Sequence, residues 1–382
     1  MHVKNGEKRY MKKKIMHIVQ SPGGVERYIN MFLKNMDLSK YDNILVCSLD
    51  YDRKKYENFV YAFEYVDMKR EINLKSDLSA IVHIRKIIKK YNPDVVYLHS
   101  SKAGAIGRIA NLGFKNRSLY NPHGWAFNMN CSSIKKKIYL YIEKLLAPLC
   151  TFIIAISDFE KDCAIENKVC NSEKIKVIYN GIDIDEYEEK KKKFTLTREE
   201  LGIPEDAYII GTVGRLTEQK APDTFIEAAK KIKSKCPNAF FVMVGDGELK
   251  DKVKEIIKGS NLENSVLITG WVDEPMEYIE LFDQAMLLSR WEGFGLVLPE
   301  YMVARKPIIA TEVDAIPNLI SNNENGMLVG MDAIEEVAVT SEVLINDTDK
   351  SELMIKRADN IVRDKFNIKR VIEEFEEIFD IL

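Results

Sequence analysis

Short runs rich in isoleucine, valine and tyrosine alternate with longer segments of helical period along almost the whole chain. This alternation is typical of β-α-β units, which build parallel sheets. It stops once, in a Lys- and Glu-rich segment at residues 185–197 that follows the turn dipeptide Asn180-Gly181, and then starts again. The sequence therefore predicts an α/β fold with two Rossmann-like, doubly wound domains that face each other across a cleft.

The same pattern divides the chain into four segments. We expect an N-terminal Rossmann-like domain over residues 1–183 and a linker over residues 184–206. A second Rossmann-like domain follows over residues 207–365, and a C-terminal helix over residues 366–382 is expected to pack back toward the first domain.

Composition and charge exclude several classes of protein. The 382 residues include 56 Lys and Arg against 59 Asp and Glu, a net charge of −3, so no global basic field is available to hold nucleic acid. The longest uncharged apolar stretch, residues 145–157, is well short of the ~20 residues of a membrane-spanning helix. No apolar run precedes the first predicted strand, whether translation starts at Met1 or Met11, and the six cysteines form no C-x-x-C pair. We expect a cytoplasmic protein with reduced thiols, no secretory signal and no zinc.

Two cations in the second half suit a phosphate ligand. The loop from Gly214 to Lys220 follows a predicted strand and opens a helix, so Arg215 and Lys220 stand where a helix N-terminus already favours anions. Arginine supplies a planar fork for phosphate oxygens, and lysine supplies a mobile point charge. The alternative interpretation is a pair of solvated surface cations.

Two carboxylates lie further along the same half. Glu292 and Glu300 are separated by seven residues, with Gly293 and Gly295 between them. Glycines let the backbone approach a ligand closely, and the amides at the start of the predicted helix would point at an anion. A carboxylate also accepts hydrogen bonds from the neighbouring hydroxyls of a sugar or ribose. The alternative for Glu300 is a helix charge that faces solvent.

The first half offers weaker signals. His123, in the segment Pro122–Trp125, ends a predicted strand and faces the same cleft, although a structural histidine is the alternative. Asp183-Ile184-Asp185 has the form of a metal-binding D-x-D but lacks further ligands nearby. Neither G-x-G-x-x-G nor G-x-x-x-x-G-K-[ST] occurs, which disfavours a dinucleotide-binding dehydrogenase and a P-loop hydrolase.

Seven segments together resemble the motifs of a known family. In chain order they are GGVERY, NPHGW, VIYNGID, VGRLTEQKAPDTF, VGDGEL, TGWV and SRWEGFGLVLPE. They resemble the retaining GT-B glycosyltransferases called glycosyl transferases group 1, or family 4, over residues 15–328. The resemblance implies a metal-independent enzyme that moves a hexose or N-acetylhexosamine from a nucleotide diphosphate sugar to a glycan or lipid-linked saccharide. It implies no other cofactor; a UDP-sugar is the favoured donor, with a GDP-sugar as the alternative.

The resemblance also implies roles for residues. Arg215 and Lys220 would grip the diphosphate, Glu300 the ribose hydroxyls, and Glu292 the sugar ring. With His123 at the transferred sugar, the expected catalytic residues are His123, Arg215, Lys220 and Glu292. The other residues expected at the donor are Gly23, Gly24, Gly214, Gly245, Val272, Gly293, Phe294, Gly295 and Leu296. Where the family usually has small residues and Gly-Gly, this chain has Tyr301 and Asp314-Ala315, so we expect an unusual sugar pocket.

The acceptor is expected on loops of the first domain that carry polar and aromatic side chains. These candidates are Arg27, Tyr28, Lys102, Trp125 and Phe127. The lysines at residues 12–14 and 135–137 are candidates for contact with anionic lipid headgroups at the inner face of the membrane, with plain solvation as the alternative. Two other functions remain open: a sugar-nucleotide epimerase of the same fold, which would need further acid and base residues, and a sugar-binding protein without turnover.

Overall fold

The computed structural model describes residues 12–20, 22–69 and 71–382. Residues 1–11, which include the alternative start Met11, and residues 21 and 70 lie outside the described residues. The chain forms two compact units. Unit 1 comprises the described residues up to Ile156, with Glu160–Ile178 and Val371–Leu382, and unit 2 comprises Ser157–Phe159 and Tyr179–Arg370.

Unit 1 is built on a parallel sheet of seven strands in the order β3-β2-β1-β4-β5-β6-β7. The strands are β1 (Lys13–Val19), β2 (Tyr41–Cys47), β3 (Ala62–Tyr65), β4 (Val95–His99), β5 (Arg117–Asn121), β6 (Phe152–Ala155) and β7 (Ile175–Val177). The strand order changes direction between β1 and β4, which is where open α/β sheets form a crevice at the carboxyl ends of the strands.

Helices cover both faces of this sheet because successive strand residues point to opposite sides. The helices are α1 (Gly24–Asn35), α2 (Leu74–Tyr91), α3 (Ser101–Ala110), α4 (Ser133–Leu146), α5 (Asp158–Glu166) and, much later in the chain, α14 (Ile368–Ile381). Met16 and Ile18 of β1 pack in the core with α2 and α3, whereas Val19 packs with α1. On the α1 side, Phe32 lies edge-on to Phe375 of α14, with ring centroids 5.0 Å apart.

Unit 2 repeats the plan with six parallel strands in the order β10-β9-β8-β11-β12-β13. Its strands are β8 (Tyr208–Val213), β9 (Ala239–Val244), β10 (Val266–Gly270), β11 (Gln284–Leu287), β12 (Ile308–Thr311) and β13 (Met327–Val329). Its helices are α6 (Ile184–Lys191), α7 (Pro222–Lys235), α8 (Lys250–Gly259), α9 (Pro275–Glu280), α10 (Val297–Val303), α11 (Ile316–Leu319), α12 (Ile334–Asn346) and α13 (Thr348–Lys365). Single turns of 3-10 helix occupy Glu218–Lys220 in unit 2 and, in unit 1, Arg53–Lys55, Ala126–Asn128, Ala147–Leu149 and Ser172–Lys174.

The segment expected to be a linker, residues 184–206, belongs to unit 2 and begins with α6. The Asp183 side chain caps this helix by accepting a hydrogen bond from Glu186 N at 2.9 Å, and Lys190 pairs with Glu274 at 2.6 Å. These contacts explain why a polar segment is ordered, and they give the D-x-D sequence a structural role, since Asp185 pairs with Lys369.

Two further findings concern the whole described chain. No described helix combines the length and apolarity that crossing a bilayer requires. All six cysteines are free thiols.

Candidate active site

The cation-bearing loop of unit 2 is held by backbone contacts to the loop that follows β9. Gly214 N donates to Val244 O and Leu216 N donates to Asp246 O, both at 3.0 Å. Gly245 has φ +143°, and a Cβ at this position would lie 2.1 Å from the Gly214 carbonyl oxygen. Only glycine permits this approach, so Gly245 fixes the path of the loop from which Arg215 and Lys220 extend.

The two cations of this loop differ in their surroundings. The side chain of Arg215 is exposed and has no hydrogen bond or ion pair to another described residue. Lys220 is half-buried, and its Nζ lies 2.5 Å from Glu292 Oε2, which also accepts from Ser289 Oγ at 3.1 Å. The Thr217 hydroxyl of the same loop is buried without a hydrogen-bond partner among the described residues. A bound diphosphate would give Arg215, Thr217 and the remaining protons of Lys220 their partners.

Arg290 holds the 3-10 turn that carries Lys220. Its backbone N donates to Gln219 O at 2.8 Å and its Nη1 donates to Glu218 O at 3.1 Å. Its guanidinium also pairs with Asp332 at 2.9 Å and with Asp223 at 3.1 Å. These carboxylates, Asp332 first, raise the pKa of Arg290 above its usual value. Arg290 was not predicted from the sequence, because its partners are distant along the chain.

The carboxylate segment is positioned by Asp314. Asp314 Oδ2 accepts a hydrogen bond from Glu292 N at 2.8 Å, and burial raises the pKa of Asp314. Gly295 has φ +77°, which lets the chain turn into α10. Glu300, on α10, is 2% exposed. The solvent-facing alternative for Glu300 is therefore wrong.

Tyr301 and Phe294 place α10 against the rest of unit 2. The Tyr301 hydroxyl accepts from Val213 N at 2.9 Å and donates to Met286 O at 3.3 Å, which joins α10 to the ends of β8 and β11. The buried Phe294 ring lies edge-on to Phe366, with centroids 5.8 Å apart. Gly293 and Leu296 are half-buried beside these anchors, and Val272 is half-buried after β10.

In unit 1, three histidines form a continuous array behind the loop after β5. His123 Nε2 lies 3.1 Å from His99 Nδ1, and His99 Nε2 lies 3.3 Å from His17 Nδ1. The α1 residue Tyr28 packs edge-on to the His123 ring, with centroids 4.8 Å apart. His123 itself has φ +50° and its backbone N donates to Asn121 Oδ1 at 2.9 Å.

Burial makes this array neutral. It lowers the pKa of His17 and of His123 to about 3, and it lowers that of His99 as well, with the neighbouring histidines adding to the effect. A neutral imidazole has one N–H, so the protons must point the same way along the whole array. The tautomer of His123 is therefore coupled to that of His17, two hydrogen bonds away.

Glu160 fixes the loop that carries His123. Its carboxylate accepts from Gly124 N at 2.5 Å and from Ile156 N at 2.9 Å, and its backbone carbonyl accepts from Trp125 Nε1 at 2.8 Å. Burial raises the pKa of Glu160 to about 7 in spite of the two donated hydrogen bonds. Like His17 and His99, Glu160 was missed by sequence reasoning.

Most of the side chains that were expected to bind the acceptor are buried in unit 1. Tyr28, Trp125 and Phe127 are buried in the core of unit 1, so their rings have no free face for a saccharide. Lys102 pairs with Asp77 at 2.6 Å and is mostly buried. Large aromatic side chains gain more free energy when they are buried than when they face solvent, which explains the error. Arg27 is exposed.

The two glycines of unit 1 that are expected at the donor lie at the start of α1. Gly23, with φ +115°, precedes the helix and Gly24 begins it, and both are exposed. Because Tyr28 packs on His123, this end of α1 and the His123 loop are neighbours within unit 1. Among the described residues, no group of three or more His, Cys, Asp or Glu is arranged to hold a metal ion.

Comparisons with known proteins agree with this architecture. Two Rossmann-type sheets in one chain are the GT-B fold. The solved structure of Anabaena HepE in complex with UDP and glucose has this fold, with a TM-score of 0.83, 22% identity, and coverage of 97% of this chain and 100% of its own. The chain belongs to the glycosyltransferases: the family model described as glycosyl transferases group 1 matches residues 193–361, and that of glycosyltransferase family 4 matches residues 22–186.

Two curated relatives extend over most of the chain. One is the Escherichia coli UDP-Gal:alpha-D-GlcNAc-diphosphoundecaprenol alpha-1,3-galactosyltransferase, 29% identical, which covers 97% of both chains. The other is an uncharacterized 41.2 kDa protein in the cps region of Klebsiella pneumoniae, 31% identical, with coverage of 85% of this chain and 87% of its own. The chain is therefore similar to these relatives over both units.

Proposed function

We propose that this glycosyltransferase moves a hexose or N-acetylhexosamine, with retention of configuration, from a UDP-sugar to a lipid-linked saccharide. The product would enter a cell-surface polysaccharide or glycolipid. The observation that carries the proposal is the loop after β8. There the Arg215 side chain is exposed without a hydrogen bond or ion pair among the described residues, and Lys220 is held beside Glu292. Paired cations at the end of a strand fit a diphosphate, because its negative charge balances their positive charge.

The proposed chemistry follows from this charge. Negative charge grows on the bridging phosphate oxygen as the glycosidic bond breaks, so Arg215 and Lys220 would stabilise the transition state more than the ground state. Arg290 and Gly245 hold the loop in place before substrate arrives, which limits the reorganisation needed during the reaction. We assign Glu292 to the sugar ring and the buried Glu300 to the ribose hydroxyls.

His123 suits a sugar better than a phosphate. Burial keeps its ring neutral, so it exchanges hydrogen bonds with hydroxyls but supplies no positive charge to an anion. We therefore assign His123 to a hydroxyl of the transferred sugar. In the proposed reaction the leaving phosphate takes the proton of the acceptor hydroxyl, and the same-face substitution needs no protein nucleophile and no metal ion.

Relatives support the choice of donor and acceptor. The Escherichia coli relative is named for a UDP-Gal donor and a diphosphoundecaprenol-linked GlcNAc acceptor. The Anabaena structure contains UDP and glucose. Both are therefore consistent with uridine as the base for this chain, and the first with a sugar diphosphate lipid as acceptor.

The proposal is tested with purified protein and a panel of UDP- and GDP-sugars, in the presence of EDTA. We expect UDP and one UDP-sugar to raise the melting temperature, since a ligand that binds only the folded state stabilises it. Incubation of that sugar with an undecaprenyl-diphosphate saccharide should then give a product whose new linkage has the donor's α configuration by NMR. Product with inverted configuration would reject retention, turnover that requires added metal would reject metal independence, and GDP-selective stabilisation would reject the UDP donor.

A further inference from the structure

Helix α4 of unit 1 presents an apolar stripe to solvent. Ile134, Ile138, Tyr141 and Leu145 are each between 47% and 72% exposed. Their spacing of four, three and four residues places them within an arc of about 60° on the helix surface. Four adjacent apolar side chains on one exposed face are not needed to pack unit 1, because α4 contacts the core through its opposite side, where Glu143 and Leu146 are buried.

The exposed charges of α4 are all positive. Lys135 lies on one side of the stripe, and Lys137 and Lys144 lie on the other. None of these three has an ion pair to another described residue. The single acid of the helix, Glu143, is buried and bound to Arg108 at 2.8 Å, so it does not offset them.

A second helix on the same face of the sheet has the same character. Leu74, Leu78 and Val82 of α2 are exposed. The one acid of α2, Asp77, forms an ion pair with Lys102. Lys75 of the same helix is exposed. Helix α3 contacts both α2 and α4, and all three helices pack on the same core cluster. Two helices on this face of the sheet therefore carry exposed apolar side chains.

We propose that the α4 stripe, with Lys135, Lys137 and Lys144, is the surface on which this protein docks to a bilayer that contains anionic lipids. Apolar side chains that enter the boundary between headgroups and acyl chains, with lysines at the phosphates on either side, are the features of an interfacial helix. Only the reason for docking rests on the proposed function, since a lipid-linked acceptor lies in a membrane. Of the other predicted lysines, Lys13 donates to Phe379 O and Lys14 to Tyr91 O. Lys12 lies 3.6 Å from Asp42, and Lys136 is half-buried.

Charge favours a bilayer over a second copy of the chain. In a two-fold dimer through this face, the same lysines would meet their own copies, and like charges in contact oppose association. An anionic lipid surface instead attracts each of them. Each lysine near such a surface contributes about 1 kcal/mol, or roughly fivefold in partition coefficient.

The first test measures binding of the full-length protein to sedimented vesicles, either of phosphatidylcholine alone or with phosphatidylglycerol. We expect binding that requires phosphatidylglycerol. The triple variant Lys135→Gln, Lys137→Gln, Lys144→Gln should lose about 100-fold in partition coefficient, from three lysines at about fivefold each. The matched control is Lys230→Gln, Lys254→Gln, Lys258→Gln, which removes three exposed lysines of α7 and α8 in unit 2 and should bind as the wild type.

The second test asks whether the stripe enters the bilayer. A tryptophan at the stripe, Tyr141→Trp, should show a blue shift and quenching by brominated lipids. The control Leu353→Trp, at an exposed position on α13, should show neither. Three outcomes would each overturn the proposal. The first is an equal loss of vesicle binding in the α4 triple-lysine variant and its unit 2 control, and the second is an absence of quenching at position 141. The third is self-association of the protein that the α4 triple-lysine variant abolishes. UDP affinity is measured in parallel on all variants: its absence in every one would reject the proposed function while leaving the docking result intact.

Discussion

Substitution of Gly245 by alanine tests whether backbone packing positions the cations of unit 2. The new Cβ would lie 2.1 Å from the Gly214 carbonyl oxygen, whereas ordinary contacts begin near 3.4 Å, so the loop must move by at least about 1 Å. Alanine at φ +143° adds backbone strain, and together we expect a loss of about 2 kcal/mol. For a unit of this size that is a fall in melting temperature of about 4–8 °C.

The substitution should also reduce turnover, by more than the loss of folded protein would explain. A shift of 1 Å in a positioning group can reduce turnover by about 100-fold, and here the shift would move both Arg215 and Lys220. Calorimetric titration with UDP and initial rates with a UDP-sugar measure the two effects well below the melting temperature. The control is Gly259→Ala in α8, where a Cβ meets open space and alanine favours the helix by up to about 1 kcal/mol. If Gly245→Ala matched this control in stability, UDP affinity and rate, the positioning argument would be refuted.

Three further outcomes are expected. Lys220→Met should lower turnover by about 10²- to 10³-fold with little change in melting temperature, and Lys230→Met on α7 should change neither; an active Lys220 variant would remove the diphosphate assignment. His123→Ala should lower the transfer rate but leave UDP affinity unchanged, and a wild-type rate would end its assignment to the sugar. Because burial raises the pKa of Glu160 from 4.5 to about 7, the unfolded chain binds fewer protons between these values. Stability should therefore fall by about 3 kcal/mol as pH rises from 4.5 to 7, and Glu160→Gln should flatten that slope in chemical denaturation.

The fold class was predictable because the strands that define it are long and apolar. The runs at β1, β8 and β9 are buried on both faces, so their sequences are continuous and easily recognised. The prediction of two α/β domains is confirmed. Short elements were missed: β13 has three residues and α11 has four, too few to show a period.

The candidate site was predictable only where its residues are close in sequence. Arg215 and Lys220 share one loop, so spacing alone places them together. Asp314 reaches Glu292 from 22 residues away, and Arg290 reaches Asp332 from 42, so only the folded chain shows these pairs. Trp125 was assigned to the acceptor because it is aromatic and on a loop. The sequence does not say whether such a ring faces solvent or is buried in the core.

Helix α14 determines when unit 1 can finish folding. Phe375 packs against Phe32 and Tyr97, yet residues 371–382 follow the whole of unit 2 in the chain. A ribosome that adds roughly 5–20 residues per second needs roughly 10–40 s to synthesise the intervening stretch of about 190 residues, 179–370. During that time the aromatic surface on the α1 side of the sheet stays uncovered and open to chaperones. Unit 1 is thus the first unit to leave the ribosome and the last to be completed.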